Sequence, residues 1–474
     1  MSTIENADAK ICVVEGQDGK VLRTVTDGDV RRFLLAGGAM DDTLNTLPEK
    51  TPVVARQGTS DAELLQTLEE HAIQAILIVD EAGAPVQMRS RASLENKILL
   101  SPPHIGATEM TFVQQAIDDN WVAPAGPNLV QFELAFAKRT GRDHALALSS
   151  GTAALHLALR VLDIGVGDRV YVSDLTFAAS LQPILYENAT PVLIDSEPVS
   201  WNMSPAALER KLAQDKAAGT LPAAIIVVHL YGQSADIMAV MALADAYGVP
   251  VIEDAAESLG ATNGNKPSGA HGLLSAFSFN GNKMITTSGG GALVSDRADL
   301  IERARNLSTQ GRDPADHYQH SEVAYNYRMS NILAGIGLGQ LDVLDERVAR
   351  RREIFELYRQ GLSDIAGISF QGDAPDSLGS RWLTVIELDP DHIPYHPYQF
   401  MRRLRQSGIE TRPAWKPMHM QPLCRGVEMV PHTEEEIVSS TLFLRSLCLP
   451  SGSSMSDGDV ARVVAAIRSI IEEG

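Results

Sequence analysis

Residues 277–296 read FSFNGNKMITTSGGGALVSD. A short run with strand character, FSFN, ends in a polar turn that carries a single lysine, Lys283; Gly289, Gly290 and Gly291 then precede a second strand-like run, ALVSD. Three consecutive glycines let backbone pass close to another group, or serve a tight turn and nothing more. Lys283 alone is equally a solvated loop residue. Its meaning depends on what the rest of the chain brings beside it.

Working outward, HALALS (144–149), RVYVSD (169–174), TPVLID (190–195), AAIIVVHL (223–230) and VPVIED (249–254) read as strands. TAALHLALRVL (152–162), FAASLQPILYE (177–187), PAALERKLA (205–213) and IMAVMALADAYG (237–248) read as the helices between them, with two more over 108–119 and 128–139. Val- and Ile-rich strands alternating with helices predict an α/β fold with a mostly parallel sheet covered on both faces. Ligands in such sheets bind at the carboxyl ends of the strands. A long helical pattern over 332–362 leads into strands (RWLTVIEL, 381–388) mixed with helices (396–408 and 459–473), which predicts a smaller α+β domain.

Residues 1–88 form a unit of their own, with strands at ICVVEG (11–16) and VLRTVT (21–26), helices over 29–38 and 60–72, and a strand and turn over 75–86. Pro102 and Pro103 forbid a continuous helix through 88–106. The predicted division is therefore 1–88, a linker at 89–104, a large domain at 105–344 and a small domain at 345–474.

With 474 residues, 44% of them hydrophobic, the chain can bury a large core. Its 40 Lys+Arg against 60 Asp+Glu give a net charge of −20, which disfavours nonspecific binding to nucleic acid or an anionic membrane, so an anionic ligand would need local basic residues. The three cysteines, Cys12, Cys424 and Cys448, have no metal-site or disulfide-framework spacing, and no metal is expected. There is no export signal at the start and no apolar run long enough to span a bilayer. A cytoplasmic location is the expectation, under which the N-x-S/T triplets at Asn188, Asn202 and Asn306 carry no glycosylation meaning.

Three stretches sit where strand ends should meet. SSGTAALHLAL (149–159) runs from strand into helix, and Ser150, Gly151 and Thr152 in its first turn suit a phosphate, or act as an ordinary N-cap. VIEDAAESLGA (251–261) delivers Asp254 at a strand end and Glu257 one turn later; Asp254 also reads as an N-cap. The third is the stretch around Ser278 and Lys283. A phosphate seat, a carboxylate and an amine are together the parts that pyridoxal phosphate needs.

With DLTFAAS (174–180) and YNYRMSNILAGIGLGQL (325–341), these stretches resemble the DegT/DnrJ/EryC1/StrS family of sugar aminotransferases, in family order and over about residues 101–472. The resemblance implies a fold type I (aspartate aminotransferase-like) pyridoxal phosphate-dependent transferase. It implies Lys283 as the lysine that takes the cofactor's aldehyde, Asp254 as the partner of the pyridine nitrogen, and Phe177 stacked on the ring, a position a core phenylalanine would also fill. Gly151, Thr152 and Ser278 match phosphate contacts, and Glu257 matches a position near the ring hydroxyl. Asn326 matches a residue reaching the neighbouring subunit's cofactor, which implies a homodimer with shared sites. Arg328 is either an anionic-substrate contact or half of a structural ion pair.

WVAPAGPNLVQFE (121–133), SFNGNK (278–283) and TRPAWKPMHMQPL (411–423) look most like the subgroup that aminates C4 of UDP-4-keto-6-deoxy-N-acetylglucosamine, on the route to bacillosamine and legionaminic acid, with glutamate as donor. Arg412, Lys416 and His419 would meet the nucleotide diphosphate, unless that segment is a solvated loop. Other keto-sugar nucleotides, such as the GDP sugar of a perosamine synthase, are the alternative. Two further readings are a sugar dehydratase, which would carry His in place of Lys283, and a non-catalytic nucleotide-sensing protein. TVTDGDVRRFLLAGG (24–38) is similar to a segment of CBS modules, where Thr26, Asp27 and Asp29 would contact an adenine nucleotide, Asp29 being equally a helix N-cap. Since the first helix and strand of a full first CBS unit are not found ahead of it, docking or dimer stabilisation is the competing role.

Overall fold

The structure, a computed structural model, describes residues 11–16, 19–39, 42–48, 51–91 and 97–473. The chain divides between Lys97 and Ile98 into two compact units. In the first, Ile11–Glu15 pairs antiparallel with Val21–Thr26, and Val54–Arg56, Ala75–Val79 and Pro85–Ser90 form a three-stranded sheet. Leu64 and Leu68 of the helix Asp61–Glu70 pack on Ile76 and Ile78 of that sheet.

Thr26 and Asp29 close a capping box on the helix Asp27–Leu35. The Asp29 amide donates to Thr26 Oγ1, while Asp29 Oδ2 accepts from the Thr26 amide at 2.9 Å and from Thr26 Oγ1 at 2.6 Å. The Asp27 side chain and residues 92–96, which fall in the expected linker, lie outside the described residues.

The second unit is built on an eight-stranded sheet. Its strands are β1 (His144–Leu148), β2 (Arg169–Ser173), β3 (Thr190–Ile194), β4 (Ala224–Val228), β5 (Val251–Asp254), β6 (Leu274–Ser278), β7 (Gly291–Ser295) and β8 (Glu428–Val430), in the spatial order β8-β3-β2-β4-β5-β6-β7-β1. Every pairing from β8 through β6 is parallel, and only β7 runs against its neighbours. Strands such as AIIVV of β4 are buried along their whole length because helices cover both faces. The lysine stretch sits at the one reversal, where β6 hands over to β7.

Two sequence expectations change in detail. FAASLQPILYE is a 3-10 turn, Ala178–Ser180, followed by a short helix, Gln182–Tyr186, since Pro183 has no amide to donate to Ala179 and a continuous helix would lose that bond. The pattern over 332–362 is two helices, Asn331–Asp342 and Leu344–Leu362, broken at Val343. The first uses its glycines for close approach: a Cβ on Gly337 would lie 2.6 Å from the Phe132 ring. The second packs Ile354 and Tyr358 into a separate core with Phe400, Val463 and Ile467, beside an antiparallel sheet of Ile368–Phe370, Thr384–Leu388, Ser446–Leu449 and Arg412–Pro413. β8 returns from this C-terminal region to the edge of the large sheet. Among the described residues no helix is long and apolar enough to cross a membrane.

Candidate active site

The carboxyl ends of β1, β2, β4, β5 and β6 face one edge, where a cavity of about 560 Å³ opens. Lys283 projects into it from the turn after β6. That turn is fixed at the Asn282 carbonyl, which accepts from Ser101 Oγ at 2.7 Å and from Trp382 Nε1 at 2.6 Å. Lys283 Nζ donates to Glu257 Oε1 at 3.2 Å and lies 4.1 Å from the centre of the Trp382 ring. The amine is thus held by a carboxylate below and an aromatic face beside it.

Asp254 ends β5. Its Oδ2 accepts from Ser180 Oγ at 2.6 Å and its Oδ1 from the Ala256 amide at 3.2 Å. Burial raises its pKa, and the Ser180 hydroxyl, the Ala256 amide and the charge of Lys283 oppose that rise. Glu257 is likewise pushed up by burial, against Lys283 and the Tyr231 amide, which donates to Oε2 at 2.7 Å. Tyr231 takes a left-handed backbone, φ 56°, and its hydroxyl accepts from the Trp415 amide at 2.8 Å.

Beneath the catalytic edge, Glu253 is fully buried beside Asp254. Its carboxylate accepts from the amides of Gly269, His271 and Gly272 and meets His229 Nε2 at 2.9 Å. Burial would raise its pKa, but the His229 contact and those amides outweigh burial and hold it at about 2. His229 Nδ1 accepts from the Ala235 amide, which leaves Nε2 as the nitrogen that donates to Glu253.

The helix Gly151–Val161 (α1) starts at the cavity. Ser150 Oγ caps the Ala153 amide, and the first-turn residues Gly151 and Thr152, whose amides a helix leaves without internal partners, line the cavity with Ser278. The cradle is closely fitted: a Cβ on Gly151 would lie 3.0 Å from Ser278 Cβ, and one on Gly291 would lie 2.4 Å from the Ser150 carbonyl carbon. This donor set fits pyridoxal phosphate, with α1 for the phosphate, Asp254 for the ring nitrogen and Lys283 for the aldehyde. Phe177, 60% exposed, stands over the same cavity with its ring centre 5.2 Å from that of Trp415.

The cavity therefore brings together Lys283, Asp254, Glu257, Gly151, Thr152, Ser278 and Phe177, and Arg412 also reaches its wall, paired with Glu410 at 3.1 Å. Asn326, Arg328, Lys416 and His419 are not part of that wall. Asn326 lies in a bridge with Thr309. Arg328 donates to Glu133 Oε1 at 2.6 Å and to the Ala147 carbonyl. The Lys416 carbonyl accepts from Gln421. His419 spans Asp174, 2.6 Å from Nδ1, and Ser440, 2.9 Å from Nε2; burial lowers its pKa, but the Asp174 contact outweighs it and the net shift is upward.

Sequence reading gave no site role to Trp382, Trp415, Ser180, Cys448 or the strap Leu99–Pro103, all of which line the cavity. Trp415 lies inside the quoted TRPAWKPMHMQPL, and as one of only four tryptophans in the chain it was the available signal.

The fold and this constellation define a pyridoxal phosphate-dependent transferase of fold type I. Residues 103–468 match the model of the DegT/DnrJ/EryC1/StrS aminotransferase family. The Bacillus subtilis (strain 168) protein EpsN, whose name places it among pyridoxal phosphate-dependent aminotransferases, is 51% identical over 79% of this chain and 96% of its own length. GDP-perosamine synthase of Caulobacter vibrioides is 36% identical over 79% of this chain and 98% of its own. The crystal structure of a family aminotransferase from Brucella abortus superposes with a TM-score of 0.71 at 28% identity, covering 77% of this chain and 95% of that one. The chain belongs to the DegT/DnrJ/EryC1/StrS family of sugar aminotransferases.

Proposed function

We propose that this aminotransferase carries an amino group from glutamate to C4 of a nucleotide-linked 4-keto-6-deoxy sugar, UDP-4-keto-6-deoxy-N-acetylglucosamine, in the cytoplasm. The observation that carries the reaction is the grouping of Lys283, Glu257 and Asp254 in one cavity at the sheet's carboxyl edge. Bound pyridoxal phosphate supplies an electron sink conjugated to the reacting carbon. Lys283 Nζ is the proton carrier: it takes the Cα proton of glutamate and in the second half-reaction delivers one to C4 of the sugar. Glu257 Oε1 orients that amine, Asp254 offers a carboxylate to the ring nitrogen, and Trp382 sets an aromatic face beside the amine.

The UDP sugar rests on the likeness of residues 121–133, 278–283 and 411–423 to the C4-aminating subgroup. Arg412 at the cavity wall is a cation suited to a diphosphate. The GDP reading is favoured instead by the 36% identity to a GDP-perosamine synthase. Incubating the protein, pyridoxal phosphate and glutamate with each sugar nucleotide, and following the amino sugar by mass spectrometry, separates the two. Faster turnover of the GDP sugar would overturn the UDP assignment.

The same proposal includes a homodimer with Asn326 reaching the partner's cofactor. Exposed Met110, Ile117, Val130 and Leu134 on Ala107–Asp118 and Pro127–Thr140 offer apolar surface for a second copy. A monomer by light scattering would refute it. The N-terminal unit is proposed as a CBS-like module that takes an adenine nucleotide at Thr26, Asp27 and Asp29, or serves docking or dimer stabilisation; turnover without any nucleotide effect would favour the second pair of roles.

A further inference from the structure

The turn that presents Phe177 to the cavity also brings two hydroxyls, of Thr176 and Ser180, beside Asp254. Ser180 Oγ is 2.6 Å from Asp254 Oδ2, and Thr176 Oγ1 is 2.6 Å from Ser180 Oγ. Both residues are 1% exposed, so no solvent competes for these bonds. A hydroxyl has one proton. Ser180 gives its proton to a carboxylate that can only accept, so its oxygen is the acceptor toward Thr176, and the chain runs Thr176 O–H to Ser180 O–H to Asp254. Each bond in such a series polarises the next.

The arrangement answers a problem set by burial. Asp254 must stay ionised to hold a proton on the ring nitrogen, yet desolvation favours its neutral form. Among the described residues it receives one side-chain donor, Ser180, and one amide, Ala256. The charged and titratable groups that act on it are Lys283, which lines the cavity, and His229, which directly follows the neighbouring strand β4; Glu257 lies three residues on, in a turn, and Glu253 is the preceding residue. None of these changes when a hydroxyl is removed from residues 176 or 180.

We propose that Thr176 and Ser180 are positioning residues for the amino-transfer reaction, a hydroxyl relay that lowers the proton affinity of Asp254 and so fixes the ring-nitrogen proton. Ser180 touches the carboxylate, Thr176 touches Ser180, and both act through Asp254. The inference rests on Asp254 being the group that meets the ring nitrogen, and the test includes Asp254→Asn to check that premise separately.

The experiment compares Ser180→Ala, Ser180→Thr, Thr176→Val and Asp254→Asn in the full chain, with folding followed by circular dichroism. Two quantities are read against pH: the dissociation constant of pyridoxal phosphate by fluorescence titration, and the single-turnover rate with glutamate. Loss of a hydrogen bond to a charged group predicts that Ser180→Ala slows the glutamate step about tenfold or more. It also predicts that the acid limb of both profiles moves to higher pH, since Asp254 then holds its proton longer. Ser180→Thr should restore the limb, and Thr176→Val should move it part of the way. A Ser180→Ala enzyme whose acid limb stays in place overturns the relay, even if it is less stable or uniformly slower. If Asp254→Asn also binds and reacts as the parent does, the premise itself is wrong.

Discussion

Lys283 Nζ lies 3.2 Å from Glu257 Oε1, and the other oxygen of that carboxylate is tied to the Tyr231 amide. The amine is therefore aimed by a side chain that the backbone itself holds still. Replacing Lys283 by Ala should abolish turnover while pyridoxal phosphate still binds noncovalently, as measured by equilibrium dialysis. Glu257→Gln keeps an oxygen for the Tyr231 amide and loses the charge toward Lys283. It should remain active within about tenfold of the parent in the glutamate half-reaction.

Gly291 is where β7 passes the start of α1. A methyl at this position would lie 2.4 Å from the Ser150 carbonyl carbon, so the backbone and not a side chain must move. Gly291→Ala should displace the Ser150–Gly151 turn and weaken pyridoxal phosphate binding by about tenfold or more, the effect of losing one charge-assisted hydrogen bond. Fluorescence titration of the apoprotein measures it.

Glu253 does not line the cavity, yet three backbone amides and His229 hold its carboxylate beneath it. Glu253→Gln turns an amide N–H₂ toward backbone N–H groups that need acceptors. The fold should lose about 3 kcal/mol, read as a lowered denaturant midpoint. The carboxyl is held at about 2 when folded against an ordinary 4.5. Its contribution is thus fully present above pH 4.5 and is lost as pH falls through about 2. The stability difference between parent and variant should shrink below pH 4.5.

Cys448 lines the cavity as a buried thiol. Burial, with the nearby charge of Glu257 adding to it and the Tyr231 hydroxyl opposing, pushes its thiol up to about 12. At pH 8 the folded protein should leave Cys448 unmodified by iodoacetamide, with full labelling only after denaturation, by mass spectrometry.

What the sequence revealed follows the physics of strand ends. Asp254, Ser278 and the start of α1 are each written as a strand run stopping at a polar residue, and parallel sheets bring such stops to one edge. The candidates that lie off the cavity wall, and the lining residues given no role from sequence, depend on distant partners. Arg328 is held by Glu133, 195 positions away, and His419 by Asp174, 245 positions away, so a charge that reads as a ligand contact lies off the cavity wall. Trp382 reads as part of an ordinary strand run, and its indole meets the Asn282 carbonyl only because the C-terminal sheet packs there. The break at Val343 has no proline or glycine to announce it and arises from two helices burying different faces.

Lys283, Glu257 and Asp254 are proposed to hold pyridoxal phosphate and to exchange its aldehyde for an amine. The most direct measurement is the visible absorbance spectrum of the purified protein with added pyridoxal phosphate, before and after glutamate. A yellow band, absent in Lys283→Ala, should form and bleach when glutamate is added. A protein that forms no band, or whose band ignores glutamate and every other amino donor, would contradict it.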